Sequence, residues 1–291
     1  MKPSGARAAG ARSRAFVAVR TLVGLVSLPG LLSLSALSSS CAAPLMKLPA
    51  GAGAPAPDAA DALAQATATC RGIRTLTAEI GISGSAGGRR VRGRLLAGVA
   101  APDSVRLEAT APFGPPVFIF VATAADATLL LPRDERVLEH GRPDAVLDAV
   151  AGVPLDAADL DATLTGCART GPQSQGRALG TDWRVVRVSA GKVSSDLYLH
   201  RDSGALPWRL VATTREDGVV RVEYRDFQNG LPRAIHLRGN EQEAFDLTLA
   251  LSQVETNIPL GGEVFRVDIP PSAAPITVDE LRRARLGIRE N

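Results

Sequence analysis

Residues 75–99, TLTAEIGISGSAGGRRVRGRLLAGV, decide how the chain is read. Leu76, Ala78, Ile80 and Ile82 alternate with Thr75, Thr77, Glu79 and Gly81, the period of two that puts one face of a strand on a core and the other in solvent. The stretch Gly84–Gly88 predicts a turn and Arg89–Val99 the returning strand, so the segment is a β-hairpin. Outward from it, strands are legible at Ser104–Thr110, Val117–Thr123, Ala127–Leu131 and Arg136–Glu139. They resume at Trp183–Ser189, Ser195–His200, Pro207–Arg215, Val219–Phe227, Arg233–Arg238, Ala244–Thr256 and Val264–Val267. Turn chemistry separates them at Asp202-Ser203-Gly204, Asp217-Gly218 and Asn229-Gly230. Successive strands without intervening helices predict a mainly β fold, one antiparallel meander of barrel-like curvature, and argue against a βαβ design.

Helical patterns are few and short. DALAQATATCRGI, from Asp61, has Asp58 or Asp61 as its cap and ends near Arg71-Gly72. Between Pro143 and Cys167 apolar residues fall three and four apart, with Asp144 and Asp156 as starts and Gly152 and Gly166 as stops. Val278–Leu286 reads as a last helix. These helices are expected to cap or fill the sheet. No repeat of fixed period suggests a propeller or solenoid.

The amino terminus has a different character. A basic stretch to Arg20, an apolar stretch Leu22–Leu37 and the small residues Ser38, Ser39 and Ser40 before Cys41 form the three parts of an export signal. Pro29 and Gly30 interrupt the apolar run, which is shorter than the ~20 residues of a membrane-crossing helix. The end of the signal resembles the bacterial lipobox, in which the Cys is diacylated and becomes the mature amino terminus, although Ser38 stands where that motif has a larger aliphatic residue. Ala42 follows the Cys, where an Asp favours retention in the inner membrane; the resemblance therefore implies an anchor in the outer membrane, with the folded part facing the periplasm. Residues 42–58, AAPLMKLPAGAGAPAPD, are Ala, Pro and Gly with almost no charge and read as an extended leash of up to roughly 50 Å. The expected organisation is a signal peptide at 1–40, a lipidated Cys41 with its linker at 41–60, and one β domain at 61–291.

Of the 33 basic residues, five precede Ser40, where there is no acid, which leaves 28 basic against 30 acidic side chains in the rest of the chain. That balance argues against a nucleic-acid partner, which needs a basic face. The constellations of catalysis are missing too. His140, His200 and His236 stand apart, with no metal-ligand spacing. Gly81-Ile82-Ser83-Gly84-Ser85 lacks the last Gly of a nucleophile elbow, and Gly191-Lys192 lacks the rest of a phosphate-binding loop. Asp159 and Asp161 read as solvated helix charges. No enzyme, metal or cofactor is expected. Cys70 and Cys167 admit two readings in an exported protein, a disulfide or two buried thiols.

LEATAPFGPPVFIFVA from Leu107, the helical stretch ending at Cys167, VEYRDFQNGLPRAIHLR and TNIPLGGEVFRVDIPPSAAPITVDEL together resemble the LolA/LolB superfamily of outer-membrane lipoprotein carriers and receptors. The resemblance covers most of Ile73–Val278, and the carboxyl end runs longer than the receptor's. It implies a half-open antiparallel barrel with helices as lid or plug, whose apolar interior takes the acyl chains of lipoproteins or lipids, and a periplasmic carrier as partner. It also implies that an apolar residue in the turn Pro112-Phe113-Gly114 meets membrane; the alternative is that Phe113 folds over the barrel end. Cavity candidates by alternation are Leu107, Phe118, Phe120, Leu129, Leu131, Leu197 and Leu199, which ordinary core packing explains equally well. A structural or assembly lipoprotein with a filled core, binding a protein partner, is the other function class. An unfilled cavity of lipid size separates the two.

Overall fold

The computed structural model describes residues 44–167, 176–190, 193–202, 207–216, 220–240 and 245–286. The export signal and Cys41 lie outside the described residues, as do most of the turns at Asp202-Ser203-Gly204 and Asp217-Gly218.

The first half of the chain contributes β1 (Ala54–Pro55), α1 (Ala59–Ala66), β2 (Thr75–Ala86), β3 (Arg89–Ala100), β4 (Ser104–Thr110), β5 (Phe118–Thr123), β6 (Asp126–Leu131) and β7 (Arg136–Gly141). Two helices, α2 (Pro143–Ala151) and α3 (Ala157–Thr165), then interrupt the strands. The second half adds β8 (Arg177–Ala178), β9 (Trp183–Ala190), β10 (Val193–His200), β11 (Arg209–Arg215), β12 (Val220–Arg225), β13 (Ala234–Gly239) and β14 (Phe245–Thr256). The chain ends with β15 (Ala274–Pro275) and α4 (Val278–Leu286).

All strands belong to one curved, unclosed sheet in the order β1-β8-β9-β10-β11-β12-β13-β14-β2-β3-β4-β5-β6-β7-β15. Each half of the chain makes one wing by pairing consecutive strands. The wings meet where β14 pairs with β2, from Phe245↔Ala86 to Thr256↔Leu76. Every pairing is antiparallel except the short contact of β15 with β7. The alternation read in the sequence selects the buried face: Leu76, Ala78 and Ile80 of β2, Val105 and Leu107 of β4, and Leu247, Leu249 and Leu251 of β14 all point into one core. Helices α1, α2 and α3 lie against this inner face and contribute Leu63, Val146, Leu147, Leu160 and Leu164 to it. Gly152 and Gly166 end α2 and α3 in left-handed conformations (φ 76° and 66°), and Asp156 closes a capping box with Asp159 at the start of α3.

Three details depart from the sequence reading. The β2–β3 turn is tighter than expected: Ala86 pairs with Arg89, and only Gly87 and Gly88, both at positive φ, make the bend. Gly84 is instead a strand residue at φ +139°, where a Cβ would lie 2.0 Å from the Asp246 carbonyl oxygen. Second, Val264–Val267 form no strand. Gly262–Phe265 is a short 3-10 turn, and the carbonyls of Val264 and Arg266 accept hydrogen bonds from Arg106 Nη1 at 3.3 and 3.0 Å. Both neighbours of β4 are already paired, so this segment crosses the outer side of the sheet. Third, the described part of the expected leash, residues 44–58, is docked. Ala54–Pro55 pair with β8, Ala56 is buried, and Met46 donates its backbone N–H to the Glu223 carboxylate at 2.9 and 3.0 Å. Arg225 Nη2 donates to the Pro44 carbonyl at 2.6 Å, and Arg221 Nη2 bonds the Met46 carbonyl and Glu223. Backbone groups held by a buried ion cluster order a segment whose side chains have little to bury.

Candidate functional site

The concave side is closed by the helical layer. Cys70, in a 3-10 turn after α1, is bonded to Cys167, just after α3, with a Cα–Cα separation of 5.6 Å. The bond ties the first helical piece to the third across 97 residues of sequence. The other ends of the layer are held by ion pairs. Asp58, which precedes α1, makes two hydrogen bonds to Arg184 at 2.8 and 2.9 Å, and that guanidinium holds its carboxyl below the ordinary range. Arg282 of α4 pairs with Asp148 of α2 at 3.2 Å, and Leu281 is buried beneath it.

Between α3 and strands β9–β12 lies a pocket of about 70 Å³, walled by Leu155, Ala162, Val188, Leu197, Val220 and Val222, with Tyr224, Thr213, Thr163 and Ser195 among its polar groups. Burial raises the Tyr224 hydroxyl well above its ordinary range, so the group is neutral. Asp159, Val193 and Arg215 border this pocket and also line an open cleft of about 700 Å³ with Asp103, Arg142 and Asp144 at its rim. The apolar pocket thus adjoins a polar mouth. Asp161, one turn along α3, is half-buried, and desolvation pushes its carboxyl up to about 6, in contrast to the solvated charge expected there.

The seven cavity candidates divide. Leu107, Phe120 and Leu129 form a cross-strand row on β4, β5 and β6, each at most 4% exposed. Phe118 and Leu131 are half-buried at its margin, and Leu199 is fully buried on β10. Leu197 alone among the seven lines the pocket. The remaining walls, Val188, Val220, Val222 and the α3 residues, are not among the seven. Their alternation is visible in the sequence, but which strands α3 covers is a tertiary fact.

At the β4–β5 loop, Phe113 is 90% exposed, between Pro112 and Gly114, and does not fold over the end of the sheet. Arg133 shapes this loop by donating from Nη2 to the Phe113 carbonyl at 2.8 Å and from Nε to the Pro115 carbonyl at 3.1 Å. The histidines lie apart: His236 bonds Asp246 at 2.6 Å, His140 faces Asp126 at 3.4 Å, and His200 packs on Trp183 at 4.4 Å between ring centroids. Among the described residues no three His, Cys, Asp or Glu side chains gather as a metal site, and no helix is long and apolar enough to cross a membrane.

A LolA superfamily protein from Nitrosomonas europaea superposes with a TM-score of 0.54 at 12% identity, over 72% of this chain and 97% of that one. The chain has a LolA-like fold. A DUF1329 family protein from Desulfovibrio piger superposes on this LolA-like domain with a TM-score of 0.52 at 9% identity, covering 72% of this chain and 97% of that one. A domain named for outer-membrane lipoprotein sorting, from Vibrio parahaemolyticus, gives 0.50 at 12% identity, over 70% of this chain and 94% of that one. No family model matches the sequence, and no curated protein matches it.

Proposed function

We propose that this LolA-like domain is a non-catalytic envelope lipoprotein that binds the acyl chains of lipoproteins or lipids on its inner face and helps deliver them to the outer membrane. The observation that carries this reading is the apolar pocket between α3 and β9–β12, which adjoins an open polar mouth beneath a layer of short helices. Acyl chains cross water only when shielded, at about 0.8 kcal/mol per buried methylene. A curved sheet with one apolar face and a helical cover supplies that shield. The present pocket is smaller than the ~300 Å³ at which small-molecule sites begin, so binding requires α3 to lift from β9–β12. In this reading Cys41 carries the lipid anchor, residues 1–40 are removed, and Phe113 touches membrane or the incoming cargo.

One observation favours a second reading. The inner face is filled at Phe120, Leu129 and Leu199, as in an assembly module that binds only a protein partner. Native mass spectrometry with lipid extraction, on protein purified from an envelope fraction, separates the two. Acylated ligand in stoichiometric amount, displaced by a fluorescent fatty-acyl probe and reduced in Leu197→Phe, is the expected result. A lipid-free protein that ignores the probe overturns the carrier reading and leaves the filled-core module. Mass measurement of the amino-terminal peptide tests the diacyl group on Cys41.

A further inference from the structure

The outer side of the β2–β3 hairpin carries a row of arginines. Val91 and Leu95 pack toward the core, so the alternating Arg90, Arg92 and Arg94 point outward, and all three are exposed. Leu96 on the same strand is 42% exposed. Arg94 pairs across the ladder with Thr110, so the β4–β5 loop begins beside this row and adds Phe113 at 90% and Val117 at 45% exposure. Within the row Arg94 pairs with Glu79 at 3.4 Å, while Glu108 is held by Arg106 at 3.3 Å and Asp246 by His236. Glu241 and Glu243 fall outside the described residues. Guanidinium groups beside exposed aromatic and aliphatic side chains match the two layers of a lipid surface, phosphate above and hydrocarbon below.

The docked amino-terminal segment adds a second, independent observation. Pro44–Met46 lie against the outward carboxylate of Glu223 on β12, and only β13, β14 and β2 separate β12 from β3. Four interstrand spacings place the arginine row about 20 Å from this segment along the sheet. Three peptide steps, a reach of at most about 11 Å, join Pro44 to Cys41. Pro44, the first described residue, therefore lies on the outer side of the sheet, the side that bears the arginines.

We propose that Arg90, Arg92 and Arg94, with Leu96, Phe113 and Val117, form a docking face for anionic phospholipid headgroups, so that the domain lies with the outer side of its β2–β3 hairpin on the bilayer that holds it. This rests on the anchored-lipoprotein reading and deepens it by naming the lipid class. Each basic residue near an anionic surface multiplies partition about fivefold, so Arg90 and Arg92 together contribute roughly 25-fold and Arg94, paired with Glu79, adds less, all of it lost as salt screens them.

The test uses the full chain, matured in an envelope and reconstituted into vesicles of phosphatidylcholine alone or mixed equally with phosphatidylglycerol. A fluorophore on Ser85→Cys, the ladder partner of Arg90, reports contact through quenching by spin-labelled lipid. The expected result is strong quenching in the anionic vesicles and weak quenching in the neutral ones. High salt and Arg90→Ser/Arg92→Ser/Arg94→Ser abolish the difference, while the unchanged thermal unfolding of the triple variant shows that the fold is intact. Equal quenching in both vesicles, or none in either, overturns the proposal, the second result pointing to a protein partner for this face. Displacement of the acyl probe, measured on the same variants without vesicles, reports the carrier reading alone, so either idea can fail without the other.

Discussion

The two faces of the sheet are built by different means. The inner face is continuous hydrocarbon: Leu76, Ile80, Val105, Phe120, Leu129, Leu199, Leu210 and Ile235 are all essentially without solvent contact beneath α1–α3. The outer face is a polar surface crossed by two stretches of chain outside the sheet, residues 44–53 on one wing and 258–273 on the other, held by arginines that donate to backbone carbonyls. Apolar burial is non-directional and scales with area, so it needs only the right period; carbonyl capture needs a particular donor at a particular place. The inner face therefore tolerates shifts of packing, while each outer crossing depends on one or two residues.

Five changes break or sharpen this contrast. Phe120→Ala, on the inner face, is expected to cost about 3–5 kcal/mol in denaturant unfolding, because the emptied volume is enclosed on all sides. Leu96→Ala on the outer side of the same sheet is expected to stay within about 0.5 kcal/mol, and equal losses at both positions would contradict the assignment of faces. Replacing Cys70 and Cys167 together by Ala releases a loop of 97 residues and is expected to cost about 2–4 kcal/mol. Reductant should then lower the melting temperature of the parent chain but leave the double variant unmoved.

Glu223→Ala attacks the outer face where it behaves most like a core. Its carboxylate is fully buried beneath the docked segment, between Arg221 and Arg225 and the Met46 N–H. A loss of about 2 kcal/mol is expected, with release of residues 44–53 visible as rapid hydrogen exchange at Met46 and new proteolytic cleavage after Lys47. Continued protection of Met46 would show that β1 pairing alone holds the segment.

A pH-dependent effect concerns Asp161. Its carboxyl, raised to about 6 by desolvation, keeps a proton in the folded chain that the unfolded chain releases near pH 4, so stability is full below that and falls as pH climbs through about 6. Asp161→Asn, tested by thermal melts across that range, should flatten the slope. At neutral pH it should gain about 1 kcal/mol, a figure reduced for the solvent that still reaches the group.

Much of the first wing was readable residue by residue. The alternation of Leu76–Ile82, the glycine stops at Gly152 and Gly166 and the last helix at Val278–Leu286 all stand where local signals put them. The candidate site was less legible. Leu197 was within reach of alternation, but its companions Leu155, Ala162 and Val222 come from separate segments that meet only because α3 returns over β9–β12.

The sequence by itself determined the strand periods, the turn and cap positions and therefore the mainly β class, because each depends on neighbours two to four residues away. The tertiary structure alone decided that β14 closes against β2, that an Ala/Pro/Gly stretch is docked instead of free, and that Val264–Val267 crosses the sheet instead of joining it. Those outcomes turn on which edges and carbonyls remain unpaired after the rest has folded, and chain-distant groups such as Arg106, Arg221 and Glu223 satisfy them.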